Sequence, residues 1–277
     1  MTDPDSNTGW RLRSLYTAQG GVGTIFSTKV ADYVASRPGY PAPLFETLRE
    51  RCELAPGTQI VDVGAGTGIL TRALLEQGWQ ATAIEPSAEM RAAADAVLSA
   101  VPGYRSAEGT AEAMPVKSGS AGLITAAQAF HWFDAIPARR ECLRVLKPRG
   151  QVALIWNDWE EGDPLHIAFD NLAATYGGTK RSALVAHEDR KDVPLFFGGA
   201  ENYAQFHWPN EQQLDEAGLR SLVFSRSYIP ARETGAGQEV AREVARVFHQ
   251  FANGPRLTIH YRTVLMLGRP QESKGDE

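Results

Sequence analysis

The sequence is poor in cysteine. Its two copies, Cys52 and Cys142, are far apart and belong to no CxxC or Cys/His cluster, so neither a disulfide framework nor a structural zinc site organises the chain, and both read as packed thiols. It also lacks any run of about eighteen apolar residues, and the opening MTDPDSNTGW has neither the basic start nor the apolar stretch of a signal peptide. The expected location is cytoplasmic, with no membrane partner. A basic surplus is missing too: 28 Lys and Arg stand against 33 Asp and Glu, for a net charge of −5, which speaks against nucleic acid as a partner. Internal repeats are absent. What remains is 277 residues with 43% hydrophobic content, enough for one elaborated core.

Residues 1–30 are polar, Gly-rich around Gln19 to Gly23 and without period, and are expected to form a mobile arm before a domain spanning 31–268. Pro41 to Pro43 open an apolar pattern at Leu44, Phe45, Leu48 and Cys52, closed by Pro56 and Gly57, which predicts a helix. Gln59 to Val63 is a short β-branched run ending in a glycine loop, after which Thr67 is expected to cap a helix with Ile69, Leu70, Ala73 and Leu74 inward. The unit repeats. Ala81 to Ile84 makes a second strand, and Ser87 caps a helix carrying Met90, Ala94, Val97 and Leu98. Further strands are predicted near Tyr104 to Ala107, over Leu123 to Ala126 and over Gln151 to Trp156, with a helix from Pro137 to Leu146 before the last of these. Alternation of this kind predicts an α/β, doubly wound, mainly parallel sheet with helices on both faces.

After Trp156 the rhythm stops. Residues 157–203 are rich in charge, glycine and aromatics without regular strands, and read as an insertion on the substrate side. Beyond them, Val240, Val244, Val247, Phe248 and Phe251 mark a helix face, Leu257 to Leu267 alternates like a half-exposed strand, and 269–277 is a polar tail.

In an open α/β sheet a ligand lies past the carboxyl ends of the strands where strand order reverses, and Asp62 to Gly68 (DVGAGTG) sits there. Glycine at 64, 66 and 68 lets main chain approach a flat ligand, and the following helix N-terminus suits a carboxylate or phosphate. The spacing DxGxGxG differs from the dinucleotide GxGxxG, which disfavours an NAD(P)-dependent oxidoreductase. Glu85, ending the second strand, is placed to accept hydrogen bonds from both hydroxyls of a ribose.

Four stretches together resemble the class I S-adenosylmethionine-dependent methyltransferases of the small-molecule, type 11-like branch: Val61 to Gly68 (VDVGAGTG), Ala83 to Ser87 (AIEPS), Gly109 to Pro115 (GTAEAMP) with Ala127 to Phe133 (AQAFHWF), and Leu143 to Gly150 (LRVLKPRG). The resemblance implies a seven-stranded sheet with its last strand antiparallel, and S-adenosylmethionine as cofactor with S-adenosylhomocysteine as product. It implies that Asp62, Gly64, Ala65, Gly66 and Gly68 belong to the cofactor loop, that Glu85 binds the ribose, and that Pro86 and Ser87 flank the adenine. Thr110, Ala111 and Glu112 would lie at the adenine edge, although the branch often has Asp where this chain has Thr110. Gln128 would lie under the methionyl arm, and Tyr33 and Arg37 would close over the cofactor, Arg37 as partner of its carboxylate.

Methyl transfer from a sulfonium is an in-line displacement that needs positioning and exclusion of water, with a base only for an acceptor that arrives protonated. His131 is the candidate base or acceptor contact, a packing role at this turn being the alternative. Trp132, Trp156 and Trp159 are the candidate acceptor wall, and Phe169, Tyr176, Phe196 and Phe197 join either that wall or an ordinary core. His166, His187, His207, His249 and His260 read as structural or surface residues. No metal site is expected. The expected partner is a small-molecule methyl acceptor and the expected state a monomer or homodimer; a non-catalytic binder of the same cofactor is the alternative.

Overall fold

The structure is a computed structural model that describes residues 29–187 and 190–272; the side chains of Tyr33 and His187 and nearly all of the expected N-terminal arm lie outside the described residues. The chain runs α1 (Val30–Ser36), α2 (Ala42–Arg51), β1 (Gln59–Val63), α3 (Ile69–Glu76), β2 (Gln80–Ile84), α4 (Ala88–Leu98), β3 (Tyr104–Ala107), β4 (Ala121–Ala127), α5 (Ala135–Val145), β5 (Leu146–Trp159), α6 (Pro164–His187), α7 (Asp192–Phe197), β6 (Tyr203–Leu214), α8 (Glu216–Phe224), α9 (Gly235–Phe251) and β7 (Leu257–Gly268). The strands form one seven-stranded sheet in the order β3-β2-β1-β4-β5-β7-β6. β7 is antiparallel to both of its neighbours while the other pairs are parallel. Strand order therefore reverses between β1 and β4, the place where a doubly wound sheet opens a crevice.

Each face of the sheet has its own core. Ile60, Leu123, Ile155 and Leu265 pack against Leu44 and Leu48 of α2 and Leu70 and Leu74 of α3. On the other face Val61, Ile124, Leu154 and Val264 meet α5 and the Phe196 and Phe197 pair of α7. A third cluster joins α6, α8 and α9 with the start of β7, through Leu165, Phe169, Leu222, Val244 and Ile259. Full burial of one such side chain contributes roughly 1.5–3 kcal/mol. Local signals agree with these helices: Ser87 Oγ accepts from Met90 N at 3.3 Å, Asp215 Oδ1 from Gly218 N at 2.8 Å and Thr234 Oγ1 from Gly237 N at 2.9 Å.

The amino-terminal segment is pinned across α8. Lys29 Nζ donates to the carbonyls of Phe224, Arg226 and Ile229 at 3.0, 2.6 and 3.0 Å, a cation at a helix C-terminus. Arg232 holds Asp32 at 2.5 and 3.2 Å. α1 thus leads Arg37 and Tyr40 over the carboxyl edge of the sheet.

Several local expectations are corrected. Thr67 does not cap α3: Gly68 holds that position at φ 81, with no side-chain cap, because the loop needs a left-handed residue there. Val97 is 59% exposed rather than packed, since Met90, Ala94 and Leu98 already fill the inner face of α4. β5 begins at Leu146 and runs to Trp159, and the irregular-looking stretch that follows it is largely helical, α6 breaking at Gly178 (φ 54, ψ −150). β6 was not foreseen as a strand. β7 alternates only at its start and is then continuously buried, because it lies between β5 and β6 rather than at an edge. Cys142 is buried and Cys52 partly so, and burial pushes the Cys52 thiol up to about 12. Among the described residues no helix is long and apolar enough to cross a membrane.

Candidate active site

β1 ends in a loop built on three left-handed glycines. Gly64, Gly66 and Gly68 have φ values of 66, 57 and 81, and a Cβ on Gly64 would stand 2.6 Å from the Ala129 Cβ. The loop hangs from β2, because Gly64 N and Ala65 N both donate to Ile84 O at 2.8 and 3.2 Å. Glu85 completes this suspension: its carboxylate accepts from Gly66 N at 2.9 Å and from Ser87 N at 3.0 Å. Burial raises the Glu85 pKa, and the Ser87 and Gly66 amides oppose that rise. Beneath the loop Asp62 is 1% exposed and accepts from the hydroxyls of Thr71 and Thr125 at 2.6 and 2.7 Å. Burial pushes its carboxyl up to about 6 against those hydrogen bonds. The Thr67 hydroxyl is buried without a hydrogen-bond partner.

A cavity of about 540 Å³ opens beside the loop, within the size range of small-molecule sites. Its lining includes Arg37, Tyr40, Gly64, Ala65 and Gln128 together with His131, Trp132, Trp156, Trp159 and Phe169. Gln128 ends β4 in the left-handed region, at φ 55, a conformation that costs a non-glycine residue about 1–2 kcal/mol. It is held there by Gln128 N donating to Ile155 O at 2.9 Å and Nε2 donating to Asn157 O at 3.2 Å.

Asn157 is the junction of this arrangement. Its Nδ2 donates to Gly39 O at 3.1 Å, its Oδ1 accepts from Thr263 Oγ1 at 2.5 Å and Asn210 Nδ2 at 3.2 Å, and Asn210 also donates to Gly39 O at 3.0 Å. One buried amide therefore couples the Arg37 to Tyr40 segment to β5, β6 and β7. Nearby, Trp159 packs at 5.0 Å from Phe169 and 5.7 Å from Tyr261, ring centre to ring centre, while Arg190 binds Asp158 at 2.5 and 2.7 Å and lies 4.3 Å over Trp156.

The structure brings Arg37, Asp62, Gly64, Ala65, Gln128, His131, Trp132, Trp156 and Trp159 to this one cavity. Glu85, Pro86 and Ser87 lie beyond its wall at the end of β2. Farther on, Thr110 is exposed and pairs its backbone with Ala113, Ala111 is buried, and Glu112 accepts from Asp134 N at 2.8 Å, tying the segment after β3 to the start of α5. Phe196 and Phe197 are not at the cavity but in the core, with Phe196 5.2 Å from Phe130. His166 does line it, as do Asn157, Asp158, Arg190, Arg226 and Arg262, none of which carries a local motif. The signal that could have found Asn157 is its place as a polar residue directly after a continuous apolar strand. Among the described residues no group of three or more His, Cys, Asp or Glu is placed to hold a metal ion.

Comparison with known proteins agrees with this architecture. Residues 61–154 match a family described as methyltransferase domain. An uncharacterized methyltransferase of Mycobacterium tuberculosis is 31% identical over 242 residues, covering 86% of this chain and 93% of its own. An uncharacterized methyltransferase-like protein of Schizosaccharomyces pombe is 27% identical over 265 residues, covering 90% and 96%. A solved structure from Anaeromyxobacter dehalogenans, assigned to the type II methyltransferases, superposes with a TM-score of 0.60 at 22% identity over 84% of this chain and 97% of that one, a likeness of fold. With the strand order, the glycine loop and relatives similar over nearly their whole length, the chain belongs to the class I S-adenosylmethionine-dependent methyltransferases.

Proposed function

We propose that this enzyme methylates a small-molecule acceptor inside the cavity between Gln128 and the tryptophan wall. The observation that carries the reading is that one cavity of about 540 Å³ is lined both by the glycine loop and Arg37 and by His131, Trp132, Trp156 and Trp159. The residues present fit S-adenosylmethionine. Glu85 offers a carboxylate to a ribose diol, the Gly64 to Gly68 main chain offers a surface without Cβ atoms, and Arg37 offers a guanidinium to the methionine carboxylate. Pro86, Ser87 and the Thr110 to Glu112 segment lie at the ends of β2 and β3, on the side expected for adenine. When bound, the cofactor supplies a methyl group on a positively charged sulfur.

The protein's own contribution is placement and dryness. Gln128, locked at its left-handed turn, faces the cavity beside Gly64 and defines the point where cofactor and acceptor meet. Trp132, Trp156 and Trp159 exclude water and hold an apolar body. His131, whose ring lies 5.0 Å from that of Trp132, is the proposed group to take a proton from an alcohol, phenol or amine acceptor.

The test is calorimetric titration with S-adenosylmethionine, S-adenosylhomocysteine and NADH, repeated with Glu85→Ala. Binding of both sulfur nucleosides at about micromolar Kd, weakened in the variant and absent for NADH, supports the assignment. Unchanged affinity in Glu85→Ala would remove Glu85 from the cofactor site.

A further inference from the structure

The chain carries a net charge of −5, yet five arginines line its cavity: Arg37, Arg181, Arg190, Arg226 and Arg262. Two of these, Arg190 and Arg262, lie beside one carboxylate that pairs with only one of them. Arg262 of β7 is directly across from Asp158 of β5 in the strand register, but Asp158 gives both oxygens to Arg190 Nη2. Arg262 is half-buried and makes no hydrogen bond or ion pair among the described residues. Arg190 also keeps a buried Nε without a hydrogen-bond partner. The other acids on the wall do not correct this balance. Asp170 pairs with Arg181 at 3.0 Å, Glu161 is exposed, and Asp62 lies under the glycine loop, bonded to two threonines.

The Arg262 guanidinium opens onto the cavity with no protein acceptor of its own among the described residues, and the planar donor fork of arginine matches a carboxylate or phosphate. We propose that Arg262, with Arg190 beside it over Trp156, forms an anion subsite, and that the methyl acceptor is an organic anion with a flat or apolar body. Its charged end lies against Arg262 and Arg190 over the paired ends of β5 and β7, while Trp132, Trp156 and Trp159 hold the body toward Gln128. This rests on the cavity being the acceptor site. Asp158 keeps Arg190 in place and prevents the two cations from repelling each other unopposed. Recognition by this group favours an anion over a neutral analogue, because binding the analogue displaces water from the cation without supplying a charged acceptor in its place.

The experiment uses the full-length protein saturated with S-adenosylhomocysteine and titrates cinnamate, phenyl phosphate and the neutral cinnamamide by calorimetry, on wild type, Arg262→Gln and Arg262→Lys. The expected result is that at least one anion binds about tenfold or more tighter than cinnamamide, that Arg262→Gln abolishes the preference, and that Arg262→Lys keeps part of it. Which anion binds separates a carboxylate from a phosphate. Three results would overturn the subsite: no preference for either anion over the amide, no binding of either anion at about 10 mM, or a preference that survives in Arg262→Gln. S-adenosylhomocysteine affinity, measured first on each protein, is expected to stay the same; loss of it in the variants alone would assign Arg262 to the fold or cofactor site and also overturn the subsite. Failure of wild type to bind the nucleoside would overturn the cofactor assignment instead.

Discussion

Replacing Asp62 by Asn should make the protein's stability less dependent on pH, and the structure sets both the sign and the size. Asp62 is buried under the glycine loop, and burial pushes its carboxyl from 3.8 to about 6, with Glu85 adding to the rise and the hydroxyls of Thr71 and Thr125 opposing it. Because the folded carboxyl holds its proton more tightly than the unfolded one, the native state binds more protons than the unfolded chain between about pH 4 and pH 6. Stability contributed at this site is therefore greatest below that window and falls as pH rises through it. A shift of about two units at 1.36 kcal/mol each corresponds to about 3 kcal/mol. Asn is neutral throughout, and its amide can accept from one threonine hydroxyl and donate to the other. Urea unfolding of wild type and Asp62→Asn from about pH 4 to pH 8 isolates the effect of Asp62 together with its charge coupling to Glu85, since carboxylates that do not interact with Asp62 cancel in the difference. The variant should gain about 3 kcal/mol on wild type across the range, with no further change above about pH 7. A difference that stays constant, or wild type gaining on the variant as pH rises, would refute the reasoning and show that the two hydroxyls outweigh desolvation.

Two further outcomes follow from the loop and its anchor. Gly64→Ala must place a Cβ 2.6 Å from the Ala129 Cβ at a φ of 66; a loss of about 1–3 kcal/mol by thermal unfolding, together with weaker S-adenosylhomocysteine binding, is expected, and a variant as stable as wild type would contradict the close approach. Asn157→Ala removes the amide that bonds Gly39, Asn210 and Thr263 and should weaken S-adenosylhomocysteine roughly tenfold while costing about 1–3 kcal/mol of stability; calorimetry giving an unchanged Kd would separate the Arg37 segment from cofactor binding.

What the sequence determined by itself was the local machinery of residues 41–156. Val61 to Gly68 announces a strand, a left-handed glycine turn and a helix, because positive φ at 64, 66 and 68 leaves few residue types able to make the turn. Ser87 as a cap and Glu85 at the end of a buried strand are legible for the same reason: a short polar group beside an apolar run has few places to go. β6 was invisible because its residues alternate between exposed and half-buried along the sheet's last strand, with Asn, Gln and Pro in the run. β7 read as half-exposed because nothing in its own residues says that β5 and β6 cover it.

Only the tertiary structure decided what lines the cavity. Asn157, Arg190 and Arg262 lie on two strands and the segment before α7, and their meeting depends on the antiparallel register of β5 with β7, which sets Asp158 across from Arg262. It decided, too, that Phe196 and Phe197 are core while Trp156 and Trp159 are wall, a choice made by which face of the sheet α7 covers. Turn geometry and capping act between neighbours in the chain and can be read from them; charge balance in a cavity is a sum over residues that only folding brings together.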